Sequence, residues 1–232
     1  MKKIFIKIII GIILLIPSKI NAQEFFDTSQ ATSFFSLGAR LGFNTSNKTF
    51  PSGYYNIWNN NSWGTGFTGG IIANLNFREY LSIQPGLFYE SRSGDYNYFT
   101  EYLNTFNEAT VHYDMGHVNT YNVTVPIMAI VKFNLADYIK WSVELGPYVQ
   151  YTFKQIGQNN IEILYRLPQS SSYSSYIAAH KDYDVGLKLG SGLQFFRHYY
   201  IGFHYMAGLM NAWNLPPGGK KKSWQFTVGY DF

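Results

Sequence analysis

The sequence predicts an all-β fold, an eight-stranded antiparallel up-and-down β-barrel, on three observations. Eight stretches of the chain alternate between apolar and polar residues with the period of two that a β-strand requires. The apolar face of these stretches carries no charged residue, whereas the opposite face carries charges of both signs. The connections between the stretches are alternately long and short. An apolar exterior around a polar interior is the reverse of a soluble β-sandwich and is typical of a transmembrane barrel.

The composition excludes several kinds of protein. The 232 residues include no cysteine, which excludes a disulfide framework, a thiolate zinc site and a cysteine nucleophile. Only 14% of the residues are charged, while 19% are aromatic. A water-soluble globular protein usually carries more charge, and a disordered chain is rarely so aromatic. We therefore expect part of the surface to face something other than water.

Residues 1–22 are predicted to be a secretory signal peptide. Three lysines begin it, and the uncharged run Ile8–Ile16 that follows is too short to cross a bilayer as a helix. Without the four lysines of this segment, the 18 basic residues fall to 14, which equals the number of acidic residues. The charge balance therefore does not indicate a nucleic-acid partner. We expect residues 23–34 to form a short lead and residues 35–232 to form the barrel.

Each predicted strand is placed by its alternation. In the fifth, residues from Trp141 to Phe153 at odd positions share one face, and Glu144 lies on the other. The long connections are where we expect loops on the cell exterior, and the short ones are periplasmic turns. A ninth and a tenth strand could lie within 93–118 or 154–181. The predicted strands are about 35–45, 66–77, 81–92, 119–133, 140–153, 182–196, 200–211 and 223–232.

The mature chain contains no apolar run long enough for a transmembrane helix, and no cysteine follows the signal peptide for lipid attachment. An exported chain with outward apolar strands is then expected to close into a barrel in the bacterial outer membrane, because every backbone group must pair there. Eight strands enclose an interior about filled by side chains. We expect this interior to hold a charge-balanced, structural polar network, formed by Arg40, Glu90, Arg92, Lys132, Glu144, Asp184, Lys188, His204 and Asp231.

The last predicted strand alternates to the end of the sequence, with an aromatic residue at the final position. This pattern resembles the signal that the outer-membrane barrel-insertion machinery recognises. The predicted signal residues are Trp224, Phe226, Val228, Tyr230 and Phe232.

Five short segments, spread over the mature chain, resemble the PorT-like bacterial outer-membrane β-barrel domains. The resemblance implies an eight-stranded outer-membrane barrel. Some members of that family are tied to a system that secretes cargo across the outer membrane, and the family supplies no catalytic motif. The segments are Leu37–Asn44, Leu81–Leu87, Val123–Ile127, Glu144–Tyr148 and Asp184–Gly192.

No segment predicts a catalytic or cofactor site. The glycine pattern at Gly64–Gly69 lacks the strand and helix that a dinucleotide site needs. His204 is expected to be a hydrogen-bonded lumen residue, and no nucleophile motif surrounds any serine. His112, Asp114 and His117, in a predicted loop, form a weaker candidate for a metal site. We therefore expect no cofactor and no metal.

The predicted function is that of a non-enzymatic outer-membrane barrel with a structural or protein-interaction role, for example as an accessory to protein secretion or envelope assembly. The alternatives are a lipid-modifying barrel enzyme and a narrow diffusion channel. The expected partners are outer-membrane lipids, the barrel-insertion machinery and an envelope protein. Lys220–Lys222, in a predicted loop, are positioned for contact with lipopolysaccharide phosphates. Aromatic residues in the predicted loops suit either partner binding or an interfacial girdle.

Overall fold

The computed structural model describes residues 25–49, 63–103, 109–158, 182–211 and 220–232. The predicted signal peptide, the first two residues of the lead and most of the candidate strand region 154–181 lie outside this part of the chain. Within the described residues, no helix combines the length and the apolar character needed to cross a membrane.

The described chain forms a closed barrel of eight antiparallel strands in sequential order, which confirms the predicted fold class. Each strand pairs with the next, and β8 pairs with β1 to close the barrel, with Arg40 opposite Gly229. Closure leaves no strand edge along the barrel wall, so the backbone groups there pair as a membrane requires. The strands are β1 Phe35–Thr49, β2 Gly64–Arg78, β3 Leu81–Leu103, β4 Ala109–Ala136, β5 Ile139–Gln158, β6 Tyr183–Phe195, β7 Tyr199–Asn211 and β8 Lys220–Asp231.

The apolar side of each strand faces outward. In β5, Leu145 and Val149 are exposed. Glu144, which directly precedes Leu145, and Gln150, which directly follows Val149, are buried. Leu41 in β1 is 67% exposed although it is fully apolar, and its neighbour Arg40 is 4% exposed. The inverted polarity on which the barrel prediction rests is therefore present in the structure. The outer surface is suited to lipid because it carries apolar side chains where a soluble protein would carry charge.

Aromatic side chains form two levels on the outer face. At one level, the ring of Tyr89 lies 5.7 Å from that of Phe67 and 6.0 Å from that of Phe153. At the other level, Tyr199 packs against Tyr230 with ring centroids 5.5 Å apart. Phe67 and Phe77 mark the two levels on β2, and ten residues of a tilted strand span about 25 Å, the height of the apolar band of an outer-membrane barrel.

Three short turns share one end of the barrel, which we call the turn end. They are residues 79–80, 137–138 and 196–198. In the last of these, Phe196 and Arg197 have φ angles of 51° and 66°, as the mirror-image turns of tight hairpins require. The N–H of Phe196 donates to the carbonyl of Tyr138 at 2.9 Å, which links two of the turns. The lead also lies at this end.

The prediction that residues 93–118 form a loop is wrong. β3 and β4 continue through this region and pair as far as Leu103 with Ala109, so the residues described there belong to these two strands and not to a ninth or tenth strand. β2 pairs with β3 only up to Glu90, and β5 pairs with β4 only up to His117. The hairpin therefore extends beyond its neighbours. Its alternation is weak because strands that leave the membrane have no lipid face to keep apolar.

Several other strands, though not β6 and β7, also exceed their predicted limits at the end opposite the turns. β1 reaches Thr49, β5 reaches Gln158 and β8 begins at Lys220. The expectation that Lys220–Lys222 form a loop tip is therefore wrong, since Lys221 is 8% exposed and lies on the inner face of β8. A lysine run hides alternation, because every position is polar whichever way it points.

Candidate functional site: the filled lumen and the turn-end vestibule

The interior of the barrel, its lumen, is filled by side chains from all eight strands. Large apolar or aromatic groups occupy its middle, among them Ile72, Phe88, Met128, Tyr148 and Met206, and each is at most 6% exposed. These positions follow from strand periodicity, since each lies on the inner face of its strand. The small inner-face glycines leave room for them: a Cβ at position 186 would lie 2.6 Å from the Tyr148 ring.

Glu90 is the centre of one buried polar cluster. Its Oε2 accepts hydrogen bonds from Arg92 Nε at 3.1 Å and from Gln150 Nε2 at 3.2 Å. Its Oε1 accepts one from Gln225 Nε2 at 2.7 Å, and Arg92 Nη2 completes an ion pair with Oε2. The carboxylate is 1% exposed, so this many donors are needed to offset its desolvation.

Glu144 is the centre of a second cluster. Its Oε1 accepts hydrogen bonds from the hydroxyls of Tyr200 at 2.6 Å and Ser142 at 2.8 Å. His204 Nε2 lies 2.9 Å from Oε2. Although a serine, a histidine and an acid meet here, Ser142 bonds to the carboxylate and not to the imidazole. A hydrolase needs the nucleophile beside its base, and this arrangement does not place Ser142 there.

Two further acids anchor the ends of the lumen. Asp231 Oδ1 pairs with Arg40 Nη2 at 2.7 Å, and its Oδ2 accepts from Gln194 Nε2 at 2.9 Å. Asp184 Oδ2 accepts from the Tyr148 hydroxyl at 2.9 Å and lies close enough to Lys221 to interact electrostatically. Each of these two acids therefore lies near a basic side chain.

The two lysines of the predicted network differ in their surroundings. Lys188 is 4% exposed, and its Nζ lies 5.0 Å from the centroid of the Phe88 ring. This cation–π contact and the field of Glu90 and Glu144 stabilise the buried charge. Lys132 is more accessible. Its Nζ donates to Asn76 Oδ1 at 3.3 Å and faces the turn end.

Little space remains between the lumen side chains. Two cavities of about 20 and 10 Å³ lie between the described residues around Arg40, Glu144 and Tyr200. A cavity of this size holds about one water molecule. The described lumen is therefore a packed polar interior without a continuous aqueous path.

A larger cavity of about 210 Å³ opens at the turn end, and we call it the vestibule. Lys132 and Asp231 lie toward the lumen, while the lead closes one side with residues 31–33. The residues that line it are Ala31, Thr32, Ser33, Ser36, Asn74, Asn76, Arg78, Glu79, Lys132, Lys140, Gln194, Arg197, His198, Asp231 and Phe232.

Glu79 holds the lead against the barrel. Its Oε1 accepts hydrogen bonds from the amide and the hydroxyl of Thr32, both at 2.8 Å, and its Oε2 pairs with Lys140 Nζ at 2.6 Å. Partial burial by itself raises the pKa of Glu79, but the bonds from Lys140 and Thr32 outweigh it and lower the pKa to about 2. Glu79 is therefore ionised at any physiological pH.

The structure places seven of the nine predicted network residues inside the lumen and the other two, Lys132 and Asp231, where the lumen meets the vestibule. Sequence reasoning missed four uncharged partners and two cations of this network. The uncharged partners are Tyr148, Gln150, Tyr200 and Gln225, and the cations are Lys140 and Lys221. The first four lie at inner-face positions of the alternation, so an inventory of polar as well as charged residues could have found them. All five residues of the predicted insertion signal point outward and are exposed.

The metal-site candidate falls outside what can be described. His112, Asp114 and His117 lie within β4 rather than in a loop, and their side chains are outside the described part of the structure. Among the side chains that are described, no three His, Asp or Glu residues gather as metal ligands would.

Comparison with known proteins gives a family and a fold. Residues 21–214 match the profile of the family described as outer membrane protein beta-barrel domain. No curated protein matches the sequence.

Several solved outer-membrane barrels have a similar fold at low identity. Ail, the attachment invasion locus protein of Yersinia pestis, was solved in complex with the heparin analogue sucrose octasulfate. It is 14% identical, with 86% of this chain and 100% of that chain covered and a TM-score of 0.41. Neisserial surface protein A is 12% identical, with coverages of 86% and 98% and a TM-score of 0.42. OprG from Pseudomonas aeruginosa is 11% identical, with coverages of 89% and 99% and a TM-score of 0.39.

Proposed function

The chain belongs to the outer membrane protein beta-barrel domain family, and from this premise we propose that it is a non-enzymatic scaffold of the bacterial outer membrane that acts through contacts with other envelope proteins. The protein sits in outer-membrane lipid, and its apolar outer belt fits that environment. The finer parts of the proposal are a PorT-like character and an accessory part in protein secretion or envelope assembly.

The filled lumen is the observation that carries this proposal. A channel needs a continuous aqueous path, whereas the two cavities that lie between the described lumen side chains around Glu144 have volumes of about 20 and 10 Å³. A lipid-modifying enzyme needs its catalytic groups at the lipid face, whereas His204 is 5% exposed within the barrel and engaged with Glu144. With transport and lipid chemistry disfavoured, the surfaces at the two ends of the barrel remain available to interact with partners.

Site-specific photo-crosslinking in living cells tests the proposal. A benzophenone side chain replaces Tyr138 at the turn end or Trp63 at the opposite end, which are 66% and 46% exposed. The matched control carries the same group at Val149, in the middle of the lipid-facing belt. We expect adducts with another protein from an end position and only lipid adducts from Val149.

Lipid adducts alone from all three positions, in cells where the barrel is assembled, would contradict an interaction role. Altered lipid A in a deletion strain, measured by mass spectrometry and restored by the wild-type chain but not by His204→Ala, would instead support the enzyme.

We further propose that the outward residues of β8 serve as the insertion signal. Tyr230 and Phe232 are 40% and 74% exposed on the outer face, so a recognising protein can reach them before the barrel is surrounded by lipid. Phe232→Ala is expected to lower the amount of folded protein in outer-membrane fractions severalfold. Phe153→Ala, which removes an exposed, outward aromatic of β5 away from β8, serves as the control and should reduce assembly much less.

A further inference from the structure

The vestibule carries an excess of positive charge. Four Lys or Arg side chains line it, against the carboxylates of Glu79 and Asp231. Both carboxylates are already engaged, Glu79 with Lys140 at 2.6 Å and Asp231 with Arg40 at 2.7 Å. The lining therefore holds more cations than carboxylates, and both carboxylates already have an ion-pair partner.

Lys132, Arg78 and Arg197 are these remaining cations. Lys132 Nζ donates to the neutral Asn76 Oδ1 at 3.3 Å, and Arg78 Nη1 donates to the carbonyl of Thr28 at 3.5 Å. In the part of the chain that the structure describes, none of the three forms an ion pair. An ammonium and two guanidinium groups retain donors for an incoming anion.

Arg197 occupies a backbone conformation that its residue type disfavours. Its φ of 66° is one that glycine adopts without strain, and arginine there costs about 1 kcal/mol. The preceding Phe196 has a packing role, since its ring lies 5.5 Å from that of Tyr138. The described structure shows no packing contact of comparable kind for the Arg197 side chain, which lines the vestibule. A retained strain of this sort is often found where a side chain is used for binding.

The neutral part of the lining suits a peptide. Thr32, Ser33 and Gln194 already donate to groups of the protein, so their oxygens remain available to accept from a peptide N–H. The Ser36 hydroxyl accepts from Asn74 and retains its own O–H donor. The vestibule opens at the turn end, which in outer-membrane barrels faces the periplasm. It lies inside the ring of outward aromatics that includes Phe77 and Tyr199, so lipid headgroups outside that ring are held away from it.

We propose that the vestibule binds an acidic segment of a periplasmic protein, whose carboxylates pair with Lys132, Arg78 and Arg197. The inference rests on the proposed interaction function and gives that function a surface and a class of partner. A volume of about 210 Å³ accommodates an acidic side chain with the adjoining peptide group. Charge complementarity of this kind contributes to specificity and to the association rate more than to affinity alone.

Binding of a defined peptide to the purified full-length protein tests the proposal. The probe is a fluorescein-labelled peptide with four consecutive glutamates, compared with the same peptide containing glutamines, in a fluorescence anisotropy titration. We expect the glutamate peptide to bind, with an affinity that falls as salt is added, and the glutamine peptide not to bind. Lys132→Gln should weaken binding by about tenfold, since a pair with a partly buried cation is lost.

Two further variants separate binding from folding. Arg197→Gly removes a cation and relieves the backbone at that position, so it should weaken binding by about threefold while the barrel becomes slightly more stable. Lys154→Gln removes the same charge from an exposed position beyond the opposite aromatic level and should leave binding unchanged. Heat-modifiable gel migration verifies that each variant is folded. If Lys132→Gln fails to fold, the comparison of Arg197→Gly with Lys154→Gln still decides.

Three results would overturn the inference. They are equal binding of the two peptides, equal weakening by Lys154→Gln and Arg197→Gly, and displacement of the peptide by an equal concentration of inorganic phosphate, which would indicate a general anion site. Absence of peptide binding together with protein adducts from the Tyr138 crosslinker would refute the acidic-segment assignment and leave the scaffold function standing. Absence of both would refute both.

Discussion

Buried carboxylates such as Glu90 hold the interior together through the number of donors that surround each of them. Glu90 accepts from Arg92, Gln150 and Gln225, and Glu144 accepts from Ser142 and Tyr200. A buried ion pair adds little net stability over an apolar pair of similar volume, because desolvation offsets the attraction. Removing one partner alone is costly, because it leaves the other charge buried and uncompensated.

The Glu90–Arg92 pair gives a first prediction. Glu90→Leu is expected to lower the free energy of unfolding by about 3–5 kcal/mol, because Arg92 then stays buried without its carboxylate. The double variant Glu90→Leu/Arg92→Met should recover part of this loss, since no unpaired arginine remains. Urea-induced unfolding in lipid vesicles, followed by tryptophan fluorescence, measures both. A double variant less stable than Glu90→Leu would show that the pair is not the cause.

Close approach of two strands gives a second prediction, at Gly146. A Cβ at this position would lie 1.9 Å from the carbonyl oxygen of Ile127 and 2.8 Å from the Cα of Met128. Both are backbone atoms of β4, so no side-chain rotation relieves the contact. Gly146→Ala should therefore destabilise the barrel by at least about 3 kcal/mol, or abolish the folded band on unheated gels.

Gly94 provides the control for this substitution. A Cβ there meets no atom within 4 Å, so Gly94→Ala should leave the folded band and the unfolding midpoint unchanged. Equal behaviour of the two variants would mean that the strand contact at Gly146 does not restrict side-chain size.

At the scale of the elements, hydrogen bonds and an ion pair connect the lead to a turn and a strand of the barrel. Glu79 in the β2–β3 turn accepts from Thr32 of the lead and pairs with Lys140 of β5. These bonds join three separate parts of the chain at one carboxylate. The ionised Glu79 carboxylate therefore holds the lead over the vestibule together with other contacts, among them the bond from Arg78 to the carbonyl of Thr28.

The pKa of Glu79 gives a third prediction. Because this pKa is lowered from 4.5 to about 2, the ionised carboxylate stabilises the lead fully above pH 4.5, and that stabilisation is lost as the pH falls through about 2. In a detergent micelle, the NMR signal of the Thr32 amide should shift with a midpoint near pH 2. The signal should not titrate in Glu79→Gln. A midpoint near 4.5 would show that the bonds to Glu79 do not form in solution.

At the scale of the whole molecule, the side chains of the barrel fill its lumen. The inner faces of eight strands leave space only for side chains, and Tyr148, Tyr200 and Met206 occupy much of it. The remaining cavities each hold about one water molecule. The barrel thus has a sealed middle and two ends that differ in shape, with tight turns at one and an extended β3–β4 hairpin at the other.

The sealed lumen gives a fourth prediction. The wild-type protein in a planar lipid bilayer should show no sustained conductance steps, because the described lumen offers no aqueous path. Tyr148→Ala/Tyr200→Ala removes two large rings from that path and should create measurable conductance in the folded fraction. The single variant Phe203→Ala, altered on the outer face, is the matched control and should stay silent. Conductance of the wild type equal to that of the double variant would refute the sealed lumen.

The all-β class, the eight alternating stretches and the apolar face of each could be predicted from the sequence alone, because the period of two and the exclusion of charge from the lipid face are local properties of each stretch. The sequence did not predict that β3 extends to Leu103 and that β4 begins at Ala109, because strands outside the membrane need no alternation of apolar and polar residues. Three contacts are visible only in the folded barrel. Tyr148 donates a hydrogen bond to Asp184, and Gln225 donates one to Glu90. Arg78, Lys132 and Arg197 line one vestibule. These residues are far apart in sequence, and the register of the closed barrel brings them together.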